Sequence, residues 1–483
     1  MRLREKLKNK IVVIVAVLML VIGCGKSPNG NSVSNNTDPK VLLSGKWYSA
    51  SQNKPLDNNS VESLFQIGHS EYTDIKIDDY GKMHICYYVS YKTGYNTETT
   101  QPNCYVVGKK CEWKTLLGEN AELLMSKDKH IPLLPDGKTV NVNEINIDKD
   151  GRTHFIGDSC YLIWNGSNWT TLKGDVATKE NVSEWRFDLP LVHRETLTNA
   201  TFKLDSSGRP VIVFFRGYTH KEKISYIHYV RWDGEKWVTF DGKEYDCTDN
   251  DGEVYRTDDS INQVELLLDG NNIPYIVWSE KKDQKPSCIK GVLLSKNSWE
   301  EMGFDSKKAE IVDMGGKTTF PKVRDFEVEI DTINRLHLAW EYKATDSSPR
   351  TFCYMYYDGD WKNIDNEVVM EDLGNTVVPV SIDHISKNGH LHHIGYLDDF
   401  NLLHTMWNGT LWTRVDGEPT RPEGDNSCVF YRNYNGQMPV DFIIQSYGNN
   451  LYMAWTQWSK DGVGIGVNSN LHYMEWIEDT QSE

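Results

Sequence analysis

No Cys-x-x-Cys pair occurs anywhere in the chain, although it holds nine cysteines, so a zinc ribbon or a thiol-redox motif is unsupported. Basic residues are scarce: 52 Lys and Arg stand against 69 Asp and Glu, a net charge of −17. No basic stripe relieves that field, which argues against nucleic acid as a partner. An anionic polysaccharide would need a local basic pocket set against the same field. No long segment carries an apolar stripe at helical spacing, so a helical domain is not expected. Long hydrophobic runs are missing as well, except for one at the N-terminus.

That run, Ile11–Ile22, follows Arg2, Arg4, Lys6, Lys8 and Lys10. It is shorter than the roughly 20 residues a membrane-spanning helix needs, and it fits the apolar core of a secretory signal. It ends in Val21-Ile22-Gly23-Cys24, which resembles the lipobox of bacterial lipoproteins. The resemblance implies removal of residues 1–23 and lipidation of the Cys24 thiol; an ordinary signal peptide or an uncleaved anchor are the alternatives. Removing the five basic residues and Glu5 takes the net charge from −17 to −21. Residues 24–40, rich in Gly, Ser, Asn and Pro, cannot bury enough surface to order themselves and read as a tether. A folded unit over 41–478 is expected. Export makes disulfides possible; Cys104 and Cys111 could pair, while Cys86, Cys160 and Cys353 read equally well as buried thiols.

The folded part repeats itself. "WNGSNWTTL" (164–172), "YVRWDGEKWVTF" (229–240), "YDGDWKNI" (357–364) and "WNGTLWTRV" (407–415) are variants of one phrase. Upstream of each lies an alternating strand, then Asp, a turn and a second strand. Seven copies are readable, aligned on Asp78, Asp148, Asp205, Asp269, Asp331, Asp383 and, in the seventh, Ser446. The mean step of about 61 residues exceeds that of a compact four-strand blade, so long loops must be included. Three residues before the Asp column stand Ile75, Ile145, Phe202, Leu266, Val328, Val380 and Ile443, with polar residues such as Lys76, Asn146, Lys203 and Glu329 following them. That is period-two strand patterning. The Asn-Gly or Asp-Gly of the phrase supplies the positive φ of a tight hairpin. A fourth strand then starts at Trp113, Trp169, Trp237, Trp299, Trp361 and Trp412. The seventh copy ends near Trp476 without a fourth strand, but Gly45-Lys46-Trp47 matches its beginning. A strand near 44–50 can therefore complete the last blade. The expected fold is all-β, a seven-bladed β-propeller closed by its N-terminal strand; a β-sandwich array would not need that strand.

The units resemble degenerate Asp-box-like, sialidase-type repeats of bacterial propellers. The resemblance covers nearly all of 41–476 and implies architecture more than activity. No clean Asp box is present, and the arginine triad and Tyr/Glu pair of true sialidases cannot be assigned, so sialidase activity is disfavoured. Some polysaccharide lyases also use such propellers, with His, Tyr and Arg in a groove. Here His84, His154, His337 and His392 form one repeat column, with Tyr275 and Tyr452 in two other copies. A column recurring in most blades reads as framework, its imidazoles bonding neighbouring strands. His392 and His393 should point to opposite faces. The Asp column should accept backbone N–H groups of its own turn.

Loop lengths divide the two ends of the barrel. Turns between strands one and two, and three and four, are short; the other two classes are long and emerge together, giving one elaborated face where binding residues belong. Its candidates are Trp185, His193, Arg194, Arg216, Tyr218, His220, Arg350, Tyr431, Arg432, Tyr434 and Trp458. Arginine beside an aromatic ring suits a sugar or a carboxylate. In a lyase His193 or His220 could act as base, with Tyr218 or Tyr434 as acid. Asp249, Asp251 and Glu253 form a partial Ca²⁺-loop pattern, although a solvated acidic loop fits the same residues. No other cofactor is expected. The sequence therefore points to a monomeric, lipid-anchored propeller outside the cytoplasm. It would bind a glycan or an extracellular or periplasmic protein and carry no catalytic constellation; the alternative is a carbohydrate-active lyase or hydrolase.

Overall fold

The computed structural model describes residues 45–49, 65–67, 73–87, 104–109, 112–118, 142–157, 160–178, 200–216, 224–245, 252–281, 288–303, 310–313, 322–331, 333–343, 350–362, 371–372, 378–385, 390–396, 402–407, 412–420, 429–431, 439–448, 450–459 and 468–478. Contacts divide the chain into Met1–Val41 and Leu42–Glu483, and the first unit lies outside the described residues. The second is a seven-bladed β-propeller, all strand among the described residues.

Each blade is an antiparallel sheet in chain order. Blade three is representative: Ala200–Leu204, Pro210–Arg216, Ser225–Trp232 and Trp237–Val238. The first strands form the inner ring: Thr73–Ile77, Val142–Ile147, Ala200–Leu204, Ser260–Leu268, Lys322–Ile330, Val378–Ile385 and Pro439–Tyr447. Each abuts the next, and the seventh abuts the first, so the ring is closed. Blade seven is completed as expected: Gly45–Ser49 pairs antiparallel with Asn468–Glu478, Trp47 facing Trp476.

The outer edge is more elaborate than four strands. In five blades a further strand pairs with the third strand alongside the fourth: Phe65–Ile67, Glu253–Thr257, Glu310–Asp313, Glu371–Asp372 and Val429–Tyr431. In blade three, Trp237–Val238 covers Arg231 and Trp232, while Glu253–Thr257 covers Ser225–His228. The long connections that read as loop therefore contribute the second half of a split outer strand. The N-terminal segment supplies both halves for blade seven.

Turn chemistry explains the trim end. Asp148 Oδ1 accepts the amides of Asp150 and Arg152 at 3.0 and 2.9 Å, and Gly151 closes the turn at φ 75°. Asp78, Asp205, Asp269 and Asp331 do the same. Asn272 and Asn334 take the left-handed position in blades four and five. Their side chains bind the preceding blade's turn: Asn272 Oδ1 accepts Ser206 N at 2.7 Å, and Asn334 Oδ1 accepts Gly270 N at 3.2 Å. Tyr447 Oη likewise donates to Asp79 O at 2.7 Å, joining blade seven to blade one.

Two assignments to the Asp column shift. The residues facing the His column are Lys76, Asn146, Lys203, Leu267, Glu329, Asp383 and Gln445. Asp383 therefore lies two residues short of the turn position, and Ser446 one. The cause is turn length: five residues separate Leu204 from its partner Pro210, but four separate Ile385 from His390 and two separate Tyr447 from Asn450. The same offset makes Ile382 and Ile444, in place of Val380 and Ile443, the counterparts of Ile75.

The apolar core sits between blades. Ile145, Phe155, Leu162 and Trp169 of blade two pack with Tyr105 of blade one; Ile444, Met453 and Trp455 of blade seven pack with Ile394 and Met406 of blade six. Trp278, Trp340, Trp361, Trp455 and Trp476 are fully buried, each contributing on the order of 3 kcal/mol. Cys86, Cys288 and Cys353 are buried in strands as thiols.

Candidate functional site

The inward positions of the first strands converge on the axis. Lys76 Nζ lies 3.1 Å from Asp74 Oδ1, and Lys203 Nζ lies 4.0 Å from Glu144 Oε1. Carboxylates also tie each blade to the next: Asp74 Oδ2 accepts Ile145 N at 2.7 Å, and Glu144 Oε2 accepts Phe202 N at 2.9 Å. Gln263 Nε2 donates to Glu265 Oε1 and to Phe326 O. Burial pushes the carboxyls of Glu144, Glu265 and Glu329 upward, with Lys203 and Lys76 opposing it. Burial would lower Lys76, but Asp74 and Glu144 outweigh it and raise its ammonium. Lys76 and Glu144 keep side-chain accessibilities of 16%, so water reaches this network and screens it. The alternation that reveals the strands also carried this cluster; nothing in it told which polar residues face the axis.

The His column forms a second arrangement. His154 Nε2 lies 3.2 Å from Asp148 Oδ2, and its Nδ1 lies 2.6 Å from Tyr161 Oη. His337 repeats this with Asp331 and Tyr354. His84 does so with Asp78 and Tyr105, whose hydroxyl also meets Thr153 of blade two at 3.0 Å. Burial lowers all three imidazoles despite the neighbouring carboxylates. Burial also pushes the Tyr161 hydroxyl well up. Burial opposes ionisation of Asp148, but hydrogen bonds from His154 and from Arg152 hold it at about 2. The consistent state is an ionised Asp, a neutral His donating from Nε2, and a Tyr donating to Nδ1. Such a relay resembles catalytic acid–base chains, but its members are buried and repeated in three blades. Its hydrogen bonds tie the second strand of each blade to the third strand and to the Asp of the turn.

Blade six departs from it. His404 stands where Tyr105, Tyr161 and Tyr354 stand, and His392 Nδ1 lies 2.8 Å from His404 Nε2. Both rings pack on Trp476. His393 instead meets Thr405 Oγ1 at 3.2 Å, consistent with opposite faces.

The loop-face candidates divide. Arg216 ends a strand of blade three opposite Tyr226, and Arg350 starts one of blade five opposite Lys343. Tyr431 ends the added strand of blade six, and Trp458 lies opposite Ser469 in blade seven. All four stand where the long connections begin or end, but they share no sheet. Trp185, His193, Arg194, Tyr218, His220, Arg432 and Tyr434 lie outside the described residues, as do Cys24, Asp249 and Asp251. Glu253 starts a strand opposite His228. Among the described residues no cluster of His, Cys, Asp and Glu could hold a metal ion, and no helix is long and apolar enough to cross a membrane.

No family model matches the chain, and no curated protein matches it in sequence. Among solved structures it is similar to the polysaccharide lyase Uly1, at 10% identity and a TM-score of 0.51, over 90% of this chain and 97% of that one. It also aligns with an alpha-L-arabinanase of Penicillium chrysogenum complexed with arabinobiose, at 10% identity and a TM-score of 0.37, over 85% and 98% of the two chains. A six-bladed fungal lectin, Aleuria aurantia lectin, aligns at 12% identity and a TM-score of 0.36, over 73% and 96%. The first likeness speaks for the β-propeller fold alone, and nothing is drawn from the other two.

Proposed function

We propose that this chain is a glycan-binding β-propeller, tethered to a bacterial envelope through Cys24, that binds through its long-loop face without turning its ligand over. One observation carries the reading: the two ends of the propeller differ. One end carries Asp-capped turns, with hydrogen bonds joining neighbouring blades at three junctions among the described residues. The other receives both classes of long connection, with Arg216, Arg350, Tyr431 and Trp458 at its strand ends. A rigid frame with one elaborated rim is the arrangement expected of a binding scaffold. The Asp–His–Tyr relays are buried, which supports the binding reading over a lyase or hydrolase working through them. A protein partner, a Ca²⁺ ion at Asp249, Asp251 and Glu253, and the monomeric state belong to the same proposal at one remove.

The test uses the full chain against a panel of neutral and acidic polysaccharides, following both binding and the appearance of unsaturated or reducing ends. Binding without product is expected. Product that disappears on His193→Ala or His220→Ala would replace this reading with the enzymatic one. For the anchor, fatty-acid labelling of cells should mark the chain and fail on Cys24→Ala.

A further inference from the structure

Arg216, Tyr226 and Arg256 occupy one cross-strand row of blade three: Arg216 pairs with Tyr226, and Tyr226 pairs with Arg256. Residues facing each other across antiparallel strands are nearest neighbours. The Arg256 guanidinium lies over the Tyr226 ring, Cζ 5.2 Å from its centroid. Arg256 is exposed and Tyr226 half-buried. Among the described residues no carboxylate pairs with Arg256, in a chain carrying 69 Asp and Glu. A solvent-facing guanidinium held on an aromatic ring, with no carboxylate partner among the described residues, is set up to receive an anion from outside.

The row is also held still. Tyr255, next to Arg256, packs on Trp278 of blade four with centroids 4.6 Å apart. Its hydroxyl lies 2.5 Å from Lys290 Nζ, which pairs at 3.0 Å with the fully buried Glu280. Trp278 Nε1 donates to the other Glu280 oxygen at 3.0 Å. Behind Tyr226, His228 stacks on Phe214 at 5.1 Å. The strand bearing Arg256 is thus anchored on its far side by a buried ion pair, so a ligand need not immobilise it.

We propose that the exposed Arg256 guanidinium, backed by the Tyr226 ring, is a subsite for a uronate residue of a glycan chain, whose carboxylate it receives; the proposal rests on the glycan-binding reading above. A carboxylate presents two oxygens that match a guanidinium fork, which a neutral sugar lacks. The site lies on the third strand and the added outer strand, away from the first strands that line the axis. Because the net charge repels polyanions at long range, recognition here depends on short-range contact.

Calorimetric titration of the full chain with oligogalacturonate, its carboxyl-reduced counterpart and a sulfated neutral glycan tests this. Oligogalacturonate should bind, and Arg256→Gln should weaken it by about tenfold or more. Arg256→Lys, which keeps the charge but not the fork, should weaken it by less. Neither variant should alter the melting temperature, since Arg256 is exposed. Equal affinity for the carboxyl-reduced oligomer, or no effect of Arg256→Gln, would overturn the subsite and leave glycan binding intact. Preference for the sulfated glycan, lost in Arg256→Gln, would overturn the carboxylate assignment. Failure to bind any glycan in the wider panel would overturn both readings together.

Discussion

Trp47 faces Trp476 across an antiparallel ladder, so the first strand of the propeller is held by the last. The pairing runs from Gly45 opposite Glu478 to Ser49 opposite Met474. Trp476 is fully buried, and it carries the His392 and His404 rings of blade six on its surface. Removing residues through Ser49 should therefore expose the Met474–Glu478 edge of blade seven and lower the melting temperature. Size-exclusion chromatography should then find aggregates, because an unpaired edge recruits other chains. A truncated chain that melts like the intact one and stays monomeric would show that closure contributes little.

The Asp148–His154–Tyr161 relay should be a stability element with an acid limit. With its carboxyl held at about 2, against 3.8 in the unfolded chain, Asp148 contributes stability that is complete above pH 3.8 and is lost as pH falls toward 2. Asp148→Asn removes the charge while retaining the shape. It turns an amide toward the donors of His154 and Arg152, and should cost about 3 kcal/mol at pH 7. Urea titrations at pH 7 and pH 3 should find the gap between wild type and variant narrowing in acid. A constant gap would remove Asp148 ionisation as its cause.

His404 should make blade six an acid-sensitive part of the ring. Burial, assisted by His393, lowers its imidazole to about 3, whereas the unfolded chain titrates near 6.5. Between those values the unfolded state binds the proton that the folded state refuses, so stability falls as pH drops, by about 1.4 kcal/mol per pH unit for this group. His404→Tyr would place in blade six the residue found at Tyr105, Tyr161 and Tyr354, where it could donate to His392. Thermal melts from pH 7 to pH 4 should show a flatter profile for the variant, and parallel profiles would refute the assignment.

The architecture was legible because blade patterning is local. Period-two alternation, Asp before a turn, Asn-Gly and Asp-Gly hairpins and the recurring Trp each follow from the chemistry of a few adjacent residues. Even the closing strand could be read, since Gly45-Lys46-Trp47 repeats the start of a fourth strand. What escaped was set by ladder register or by long connections. Asp383 and Ser446 were misaligned because turn length varies in blades six and seven. Glu253–Thr257 and Val429–Tyr431 read as loop because a strand of three to five residues within a polar connection has little pattern of its own. The Arg256–Tyr226 pair was missed for the same reason: its members lie 30 residues apart and meet only through that added strand.

The axial network sets a last test, with the opposite sign to His404. Burial raises Glu144, while Lys203 and Lys76 pull it back. A carboxyl whose folded value exceeds its unfolded 4.5 favours the folded state only while protonated there. Its effect on stability is therefore increasingly unfavourable as pH rises from 4.5 through the folded value, and constant beyond it. Glu144→Gln should keep the bond to Phe202 N, since an amide oxygen can accept it, and should remove the ionisation. The axis retains Asp74, Glu265 and Glu329 against Lys76 and Lys203, so both lysines keep counterions. The variant should melt higher than wild type at pH 8 and no higher at pH 5. A variant that loses stability at pH 8 would mean that the Glu144 charge is needed by Lys203 and Lys76 more than its burial costs.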